Sequence, residues 1–237
     1  MKAVLFDLDG TLLPMDQEVF VQLYLLELEQ NGPKLGYGAE KLVQTVMAGF
    51  ELMVANDGSM TNEERFWELF LAAYGGERAK HTEIFAKFYE NEFSRVARGT
   101  SPTPLANEAV QVLKEKGYDL VLATNPVFPR VATLERMRWA GLNPQDFMYI
   151  TTYENSTYAK PNPNYYREIM RIIDAKPEEC LMVGNDVQED MSAAELGAQV
   201  FLVTDDLINS AGEDVSSFPK GSRQQMLEFF LALPKRE

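Results

Sequence analysis

Five short apolar runs, each closed by turn residues, constrain this chain more than any other feature: "KAVLF" (2–6), "YDLVLAT" (118–124), "FMYITT" (147–152), "CLMVG" (180–184) and "AQVFLVT" (198–204). Most are too apolar to be half exposed, so they read as strands buried on both faces. Between the later ones lie helix-spaced stretches: "NEAVQVLKEKG" (107–117), "RVATLERMRWAGL" (130–142), "PNYYREIMRIID" (163–174) and "DMSAAELG" (190–197). Strands alternating with helices imply right-handed crossovers and an α/β fold with a doubly wound parallel sheet.

The section from Met15 to Gly99 breaks this rhythm. "QEVFVQLYLLELEQNG", "AEKLVQTVMAGFELMVAND", "NEERFWELFLAAYGG" and "ERAKHTEIFAKFYENEFSRVA" carry helical spacing and almost no strand signal. It reads as an all-helical insertion, residues 15–99, within a core built from 1–14 and 100–237. Leu13–Asp16 and "RGTSPTP" (98–104) are the expected hinges. Asn62 is the expected cap of the third helix, with Arg65 where a capping box would place Glu. "SSFPKGSRQQMLEFFLALPKRE" suggests a last amphipathic helix and a polar end.

Composition narrows the function classes. The 237 residues, 46% hydrophobic, suffice for one large core or two smaller ones. No apolar run approaches the roughly 18 residues of a membrane span, and acids fall where a signal peptide would keep its apolar region. The single Cys180 forms no internal disulfide, which fits a reducing, cytoplasmic setting. A net charge of −14 without a basic run argues against nucleic acid as a partner. With His81 the only histidine, expected on a surface or groove, a metal site must use carboxylates and carbonyls. That donor set favours a hard cation such as Mg²⁺.

The first run enters "VLFDLDGTLL" (4–13), placing Asp7 and Asp9 on one side of a strand end with Leu8 turned inward. Ligands of open parallel sheets bind at such carboxyl ends. Gly10 permits a sharp turn with accessible amides, and Thr11 adds a hydroxyl. Two carboxylates so close call for a shared cation or proton, and they divide the work of a displacement: one attacks as nucleophile, the other moves the proton. Its place at the end of an apolar strand favours the functional reading; read alone, the stretch is also compatible with a structural turn.

The same holds at three other ends. Thr124 and Asn125 supply a hydroxyl and an amide for phosphate oxygens, or a helix cap. Lys160 in "YAKPNPNYY" neutralises developing charge, or is a solvated loop lysine. Asp186 and Asp190 in "VGNDVQED" ligate a cation, or sit at a helix N-terminus because its dipole favours them. Four ends together are far more specific than any one.

In this combination the chain resembles the haloacid dehalogenase superfamily of aspartate-nucleophile phosphohydrolases: "DLDGT", then Thr124–Asn125, Lys160 in "AKPNP" and "GNDVQED", with the helical insertion between the first two. The resemblance implies a Rossmann-like core, a helical cap and Mg²⁺. It implies Asp7 as nucleophile and metal ligand, and Asp9 as general acid/base with its carbonyl on the metal. Thr124, Asn125 and Lys160 would hold the phosphoryl group. Asp186 would be a second metal ligand and Asp190 a supporting acid. The fourth motif commonly begins Gly-Asp, whereas Asn185 follows Gly184 here, so either Asn185 or Asp186 takes the metal position; a carboxylate is the better Mg²⁺ ligand.

Within that family Asp9 favours phosphoryl transfer, because the dehalogenases need no leaving-group proton. The cap lysines Lys34, Lys41, Lys80 and Lys87 have no context for the Schiff base of the phosphonate-cleaving members. The leading expectation is a Mg²⁺-dependent phosphomonoester hydrolase acting on a small phosphorylated metabolite through an aspartyl-phosphate. The alternatives are a sugar-phosphate phosphomutase and a non-catalytic phospho-ligand-binding regulatory protein. The cap aromatics Phe20, Tyr24, Phe50, Phe66, Trp67, Phe70, Tyr74, Phe85, Phe88 and Tyr89 read as the cap's own core. The sequence leaves monomer or homodimer open.

Overall fold

The five apolar runs and one further short strand form a six-stranded sheet in the computed structural model, which describes residues 1–236. Its strands are β1 (Ala3–Phe6), β2 (Asp119–Leu122), β3 (Tyr149–Ile150), β4 (Cys180–Gly184), β5 (Gln199–Val203) and β6 (Lys220–Gly221). All pair in parallel, in the order β3-β2-β1-β4-β5-β6. β1 lies between β2 and β4, with Phe6 opposite Leu122 on one side and Val183 on the other. The chain winds outward from β1 through β2 to β3, then returns across β1 to β4. The crevice beside β1 and β4 is therefore a topological switch point, the usual ligand site of such sheets.

Strand periodicity divides the core in two. Val4, Phe6, Leu120, Leu122, Leu181 and Val183 face one cluster, while Ala3, Leu5, Val121, Cys180 and Met182 face the other. The helices α5 (Pro104–Glu115), α6 (Arg130–Trp139), α7 (Pro163–Ile172) and α8 (Arg223–Ala232) follow in the core section. Tyr165, Tyr166, Ile169 and Met170 of α7 fill the second cluster. Cys180 is buried there, and burial pushes its thiol up to about 11, making it a poor nucleophile.

Between β1 and α5 the chain is helical: α1 (Gln17–Asn31), α2 (Ala39–Val54), α3 (Asn62–Tyr74) and α4 (Arg78–Asn91), with 3₁₀ turns at Gly32–Leu35 and Phe93–Gly99. Every named aromatic except Phe50 and Tyr74, which pack against it half-buried, is buried in the first cluster. They are core residues as expected, but the core is not the insertion's own: the same cluster holds Val4, Phe6, Leu122 and Val183 of the sheet, and Phe20 and Tyr24 pack on Phe128. The outgoing and returning strands of this insertion run side by side: Met15 bridges Thr100 antiparallel, and Ser101 N donates to Pro14 O at 2.8 Å. No described helix is long and apolar enough to cross a membrane.

Three local expectations change. The stretch 190–197 is a 3₁₀ turn over Met191–Leu196 rather than an α-helix, and the Asp190 carboxylate before it points inward to Lys160 and Asp186 N. The short β6 was not foreseen. The cap of α3 is Thr61, one residue earlier than Asn62, and Glu64 completes a full capping box. Asn62 instead lies fully buried as the first helical residue. Its Nδ2 donates to Pro126 O at 3.0 Å and Tyr158 O at 3.3 Å, and its Oδ1 accepts from Asn56 Nδ2 at 2.8 Å. The N–H groups of Asn62 and Glu63 donate to Ser156 O and Tyr153 O at 2.9 and 2.8 Å. The open end of α3 is thus satisfied by the carbonyls of Tyr153 and Ser156, while the carbonyls next to Asn125 and two residues before Lys160 hold the Asn62 side chain.

Asn62→Ala should strand these buried groups and cost about 1–3 kcal/mol. Urea unfolding should show a lower midpoint at unchanged slope. An unchanged midpoint would mean that this junction adds nothing to stability.

Candidate active site

β1 ends at Phe6, and Asp7 is the first residue beyond the sheet. Its N–H still donates to Val183 O at 2.9 Å, so β4 fixes where its side chain starts. Gly10 then turns the chain with φ of +78°. A Cβ at Gly10 would lie 2.3 Å from Asn185 Nδ2, so glycine is required both by backbone sign and by space. Behind the loop, Arg223 at the start of α8 donates to the carbonyls of Gly10 and of Thr11, the latter at 2.8 Å. Nothing in the sequence marked Arg223, which read as one basic residue of an amphipathic helix.

Asp7, Lys160 and Asp190 form a buried triad. Lys160 has no exposed surface. Its Nζ lies 2.8 Å from Asp7 Oδ1 and 2.6 Å from Asp190 Oδ1, so the solvated-lysine reading is overturned. Burial alone would push this ammonium down, but the charges of Asp190 and Asp7 outweigh it and hold it well above the usual lysine value. Thr11 Oγ1 sits 3.1 Å from Asp7 Oδ2 and 2.9 Å from Asn185 Oδ1. Asp190 Oδ2 accepts from Asp186 N at 3.0 Å, closing the turn after β4. Gly184 makes room for it: a Cβ there would meet that oxygen at 2.0 Å.

Asp9 has different company. Its Oδ2 is bound by Nη1 of Arg136 on α6, and its Oδ1 is buried without a partner. Burial pushes its carboxyl upward against the pull of Arg136, and the charge of Asp7 adds to the push. The two acids thus stand in unlike environments, the arrangement that gives paired carboxylates separate roles. Arg136, only 1% exposed, is the second site residue that the sequence hid, since an arginine in a helical stretch reads as solvated.

Thr124 and Asn125 follow β2 into the same region. The carbonyl of Thr124 accepts from the hydroxyls of Thr151 at 2.7 Å and Tyr165 at 2.9 Å. Asn125 Nδ2 donates to Glu189 Oε1 at 2.9 Å, while Asn125 Oδ1 is buried and unpartnered. Burial pushes the carboxyl of Glu189 up to about 8. Glu189 is a third unforeseen member, although it stands beside Asp190 in the quoted motif.

Of the pair after Gly184, Asn185 is buried, and its Nδ2 is tied to Asp206 O at 2.7 Å. Asp186 is half-buried, and its Oδ1 accepts from Glu189 N at 2.8 Å. Burial raises its carboxyl, and the Asp7 charge adds to the rise. Asp186 also lines an open cleft of about 720 Å³ that runs along Met15–Glu18 and Asp206–Ser210. Among the described residues, no group of three or more His, Cys, Asp and Glu side chains converges as a ready metal cluster. His81 lies on α4 in the insertion, between the Tyr37 hydroxyl at 2.6 Å and Gly75 O at 2.9 Å.

Residues 1–207 match the family described as haloacid dehalogenase-like hydrolase. The chain belongs to that family. It is therefore a hydrolase of the haloacid dehalogenase type, with the parallel Rossmann-like sheet and helical cap seen above. Pyrophosphatase PpaX of Bacillus cereus is 24% identical over 204 residues, spanning 86% of this chain and 83% of that protein. The phosphatase of this family from Thermococcus onnurineus superposes at a TM-score of 0.60 with 20% identity, over all of both chains. A 2-haloacid dehalogenase from Pseudomonas syringae superposes equally well, at 0.60 with 20% identity over 98% of each chain. Overall shape therefore does not separate phosphatase from dehalogenase; the side chains at the site must.

The cap lysines are engaged away from the site. Lys41 donates to Ala73 O at 2.6 Å, Lys34 to Asn31 at 3.1 Å, and Lys80 and Lys87 pair with Glu77 and Glu83. The hydrogen bond to Glu83 raises Lys87, the opposite of what a Schiff-base lysine needs.

Proposed function

We propose that this protein is a phosphomonoester hydrolase that works through an aspartyl-phosphate on Asp7 and acts on a small phosphorylated metabolite. The observation that carries the reading is the pairing of Asp7 with the buried Lys160 while Asp9, two residues on, is held apart by Arg136. A nucleophile braced by a fixed cation, next to an acid with raised proton affinity, suits phosphoryl transfer. A dehalogenase expels halide and has no proton to deliver.

In the first step, Asp7 attacks phosphorus and the bond to the leaving oxygen breaks. Asp9 gives its proton to that oxygen. In the second, Asp9 takes a proton from water as the water oxygen attacks the same phosphorus, releasing inorganic phosphate and restoring Asp7. Lys160 stays charged throughout and offsets negative charge on the equatorial oxygens. Thr124 and Asn125 bind those oxygens, and the helices of residues 15–99 act as the cap that shuts out bulk water.

The donor chemistry fits Mg²⁺: Asp7, Asp186 and the Asp9 carbonyl are hard oxygen donors, and Mg²⁺ takes about one or two carboxylates with the remainder from water and phosphate. Asp7, Asp9, Asp186 and Asp190 also outnumber Lys160 and Arg136, so the site favours a further cation. When bound, Mg²⁺ would supply charge neutralisation at the phosphoryl oxygens. We assign the position to Asp186 rather than Asn185, because a carboxylate is the better Mg²⁺ ligand and Asn185 Oδ1 already accepts from Thr11 Oγ1 at 2.9 Å.

A steady-state screen of phosphorylated metabolites with Mg²⁺ tests the reading. Turnover that chelator removes and Mg²⁺ restores is expected. Turnover of 2-haloacids instead, or of no ester at all, would overturn it. Asp9→Asn should slow an alkyl phosphate about 10²–10⁴-fold, the usual range for general acid catalysis. The nitrophenyl ester, a good leaving group, should suffer much less. Equal losses would contradict the role of Asp9.

A further inference from the structure

The buried Arg136 has so far been given its contact with Asp9 but no role in either step of the reaction. Arg136 projects from α6 and bonds Asp9 Oδ2. The rest of its guanidinium is fixed by α6 itself and by the loop before it. Nε donates to Ala132 O at 3.4 Å, Nη2 to Thr133 Oγ1 at 3.4 Å, and the group lies 4.6 Å from the centroid of the Phe128 ring. Phe128 comes from the loop that begins at Thr124 and Asn125, so one short segment shapes both the phosphate end and the setting of Asp9. Asp9 Oδ1, meanwhile, is buried with no partner.

We propose that Arg136 is the positioning residue for Asp9: it holds Oδ2 so that Oδ1 is the oxygen presented to the leaving group and then to water. This rests on the phosphatase reading. An aspartate side chain is short but still rotates about two bonds, and proton transfer tolerates little misplacement. A planar guanidinium that is itself immobilised removes that freedom as a lysine ammonium cannot. A buried, paired side chain aimed at one oxygen leaves the other oxygen free by construction. Removing one partner of any buried ion pair is destabilising, whatever the pair does in catalysis. The test must therefore read chemistry and not folding.

The experiment compares wild type, Arg136→Met, Arg136→Lys, Asp9→Asn and the double variant Asp9→Asn/Arg136→Met on an alkyl phosphate and on p-nitrophenyl phosphate. Arg136→Met is expected to lower kcat about 10²-fold on the alkyl ester, within the span of general acid catalysis, with KM held within about twofold. On the nitrophenyl ester the loss should be at most about fivefold, because that leaving group needs little proton donation. Arg136→Lys keeps the charge and should fold. It should show the same selectivity at smaller size, on the order of fivefold on the alkyl ester. In the Asp9→Asn background, Arg136→Met should add almost nothing, since the two act as a unit.

Equal losses on both esters for Arg136→Lys, or full additivity with Asp9→Asn, would overturn the positioning role while leaving the phosphatase reading intact. A wild type without turnover on either ester would overturn both.

Discussion

Asp7→Asn is expected to abolish turnover of every phosphate ester, by about 10⁴-fold or more, because removal of a covalent nucleophile leaves only binding and charge stabilisation. Stability should hardly change. The amide keeps an oxygen for Lys160 Nζ, now 2.8 Å from Asp7 Oδ1, and Thr11 keeps Asn185 as a second acceptor at 2.9 Å. Circular dichroism and the unfolding midpoint should match wild type. Activity within about tenfold of wild type would mean that Asp7 is not the attacking group.

Lys160→Met should have a larger effect on the fold and an equally severe one on catalysis. Lys160 is wholly buried between Asp7 and Asp190. Removing its charge leaves two carboxylates facing each other in the interior, a change that costs about 3–5 kcal/mol for one broken buried pair. For a chain of this size, each kcal/mol is worth about 2–4 °C, so a fall in Tm of ~10 °C is expected. Adding Asp190→Asn should restore part of the stability and none of the activity, since no cation is returned to the phosphoryl site. Measured with chelator present, an unchanged Tm for Lys160→Met would refute the triad as a structural unit.

The sheet was legible where burial on both faces left an unbroken apolar run. β1, β2, β4 and β5 fall within the runs at 2–6, 118–124, 180–184 and 198–204. The run at 147–152 predicts a longer β3 than Tyr149–Ile150, an edge strand that pairs on one side with Val121 and Leu122. β6, only Lys220–Gly221, lacks an apolar pattern altogether and exists because backbone groups of β5 reach it. Thr61 and Asn62 are both good caps, and propensity alone does not choose between neighbours. The buried carbonyls of Pro126 and Tyr158, which claim the Asn62 amide, made the choice.

At the site, strand ends marked Asp7, Asp9, Thr124, Asn125, Lys160, Asp186 and Asp190, because topology gathers such ends at one edge of the sheet. What stayed hidden were residues whose role depends on three-dimensional partners. Arg136 and Arg223 look like surface cations on helices until the buried loop from Asp7 to Leu13 is placed between them. Glu189 resembles a solvated acid until Asn125 and the turn after β4 enclose it. Charge near a reaction centre is read from burial, which a linear pattern reports poorly.

The central claim is that Asp7 carries the phosphoryl group. The most direct measurement is acid quenching of the enzyme during turnover of a good substrate, then borohydride reduction and peptide mass spectrometry. An aspartyl-phosphate is reduced to homoserine, and the account predicts that mark at residue 7 alone, dependent on substrate and absent in Asp7→Asn. Homoserine at another aspartate, or turnover with no reducible acyl-phosphate at any point in the time course, would contradict it.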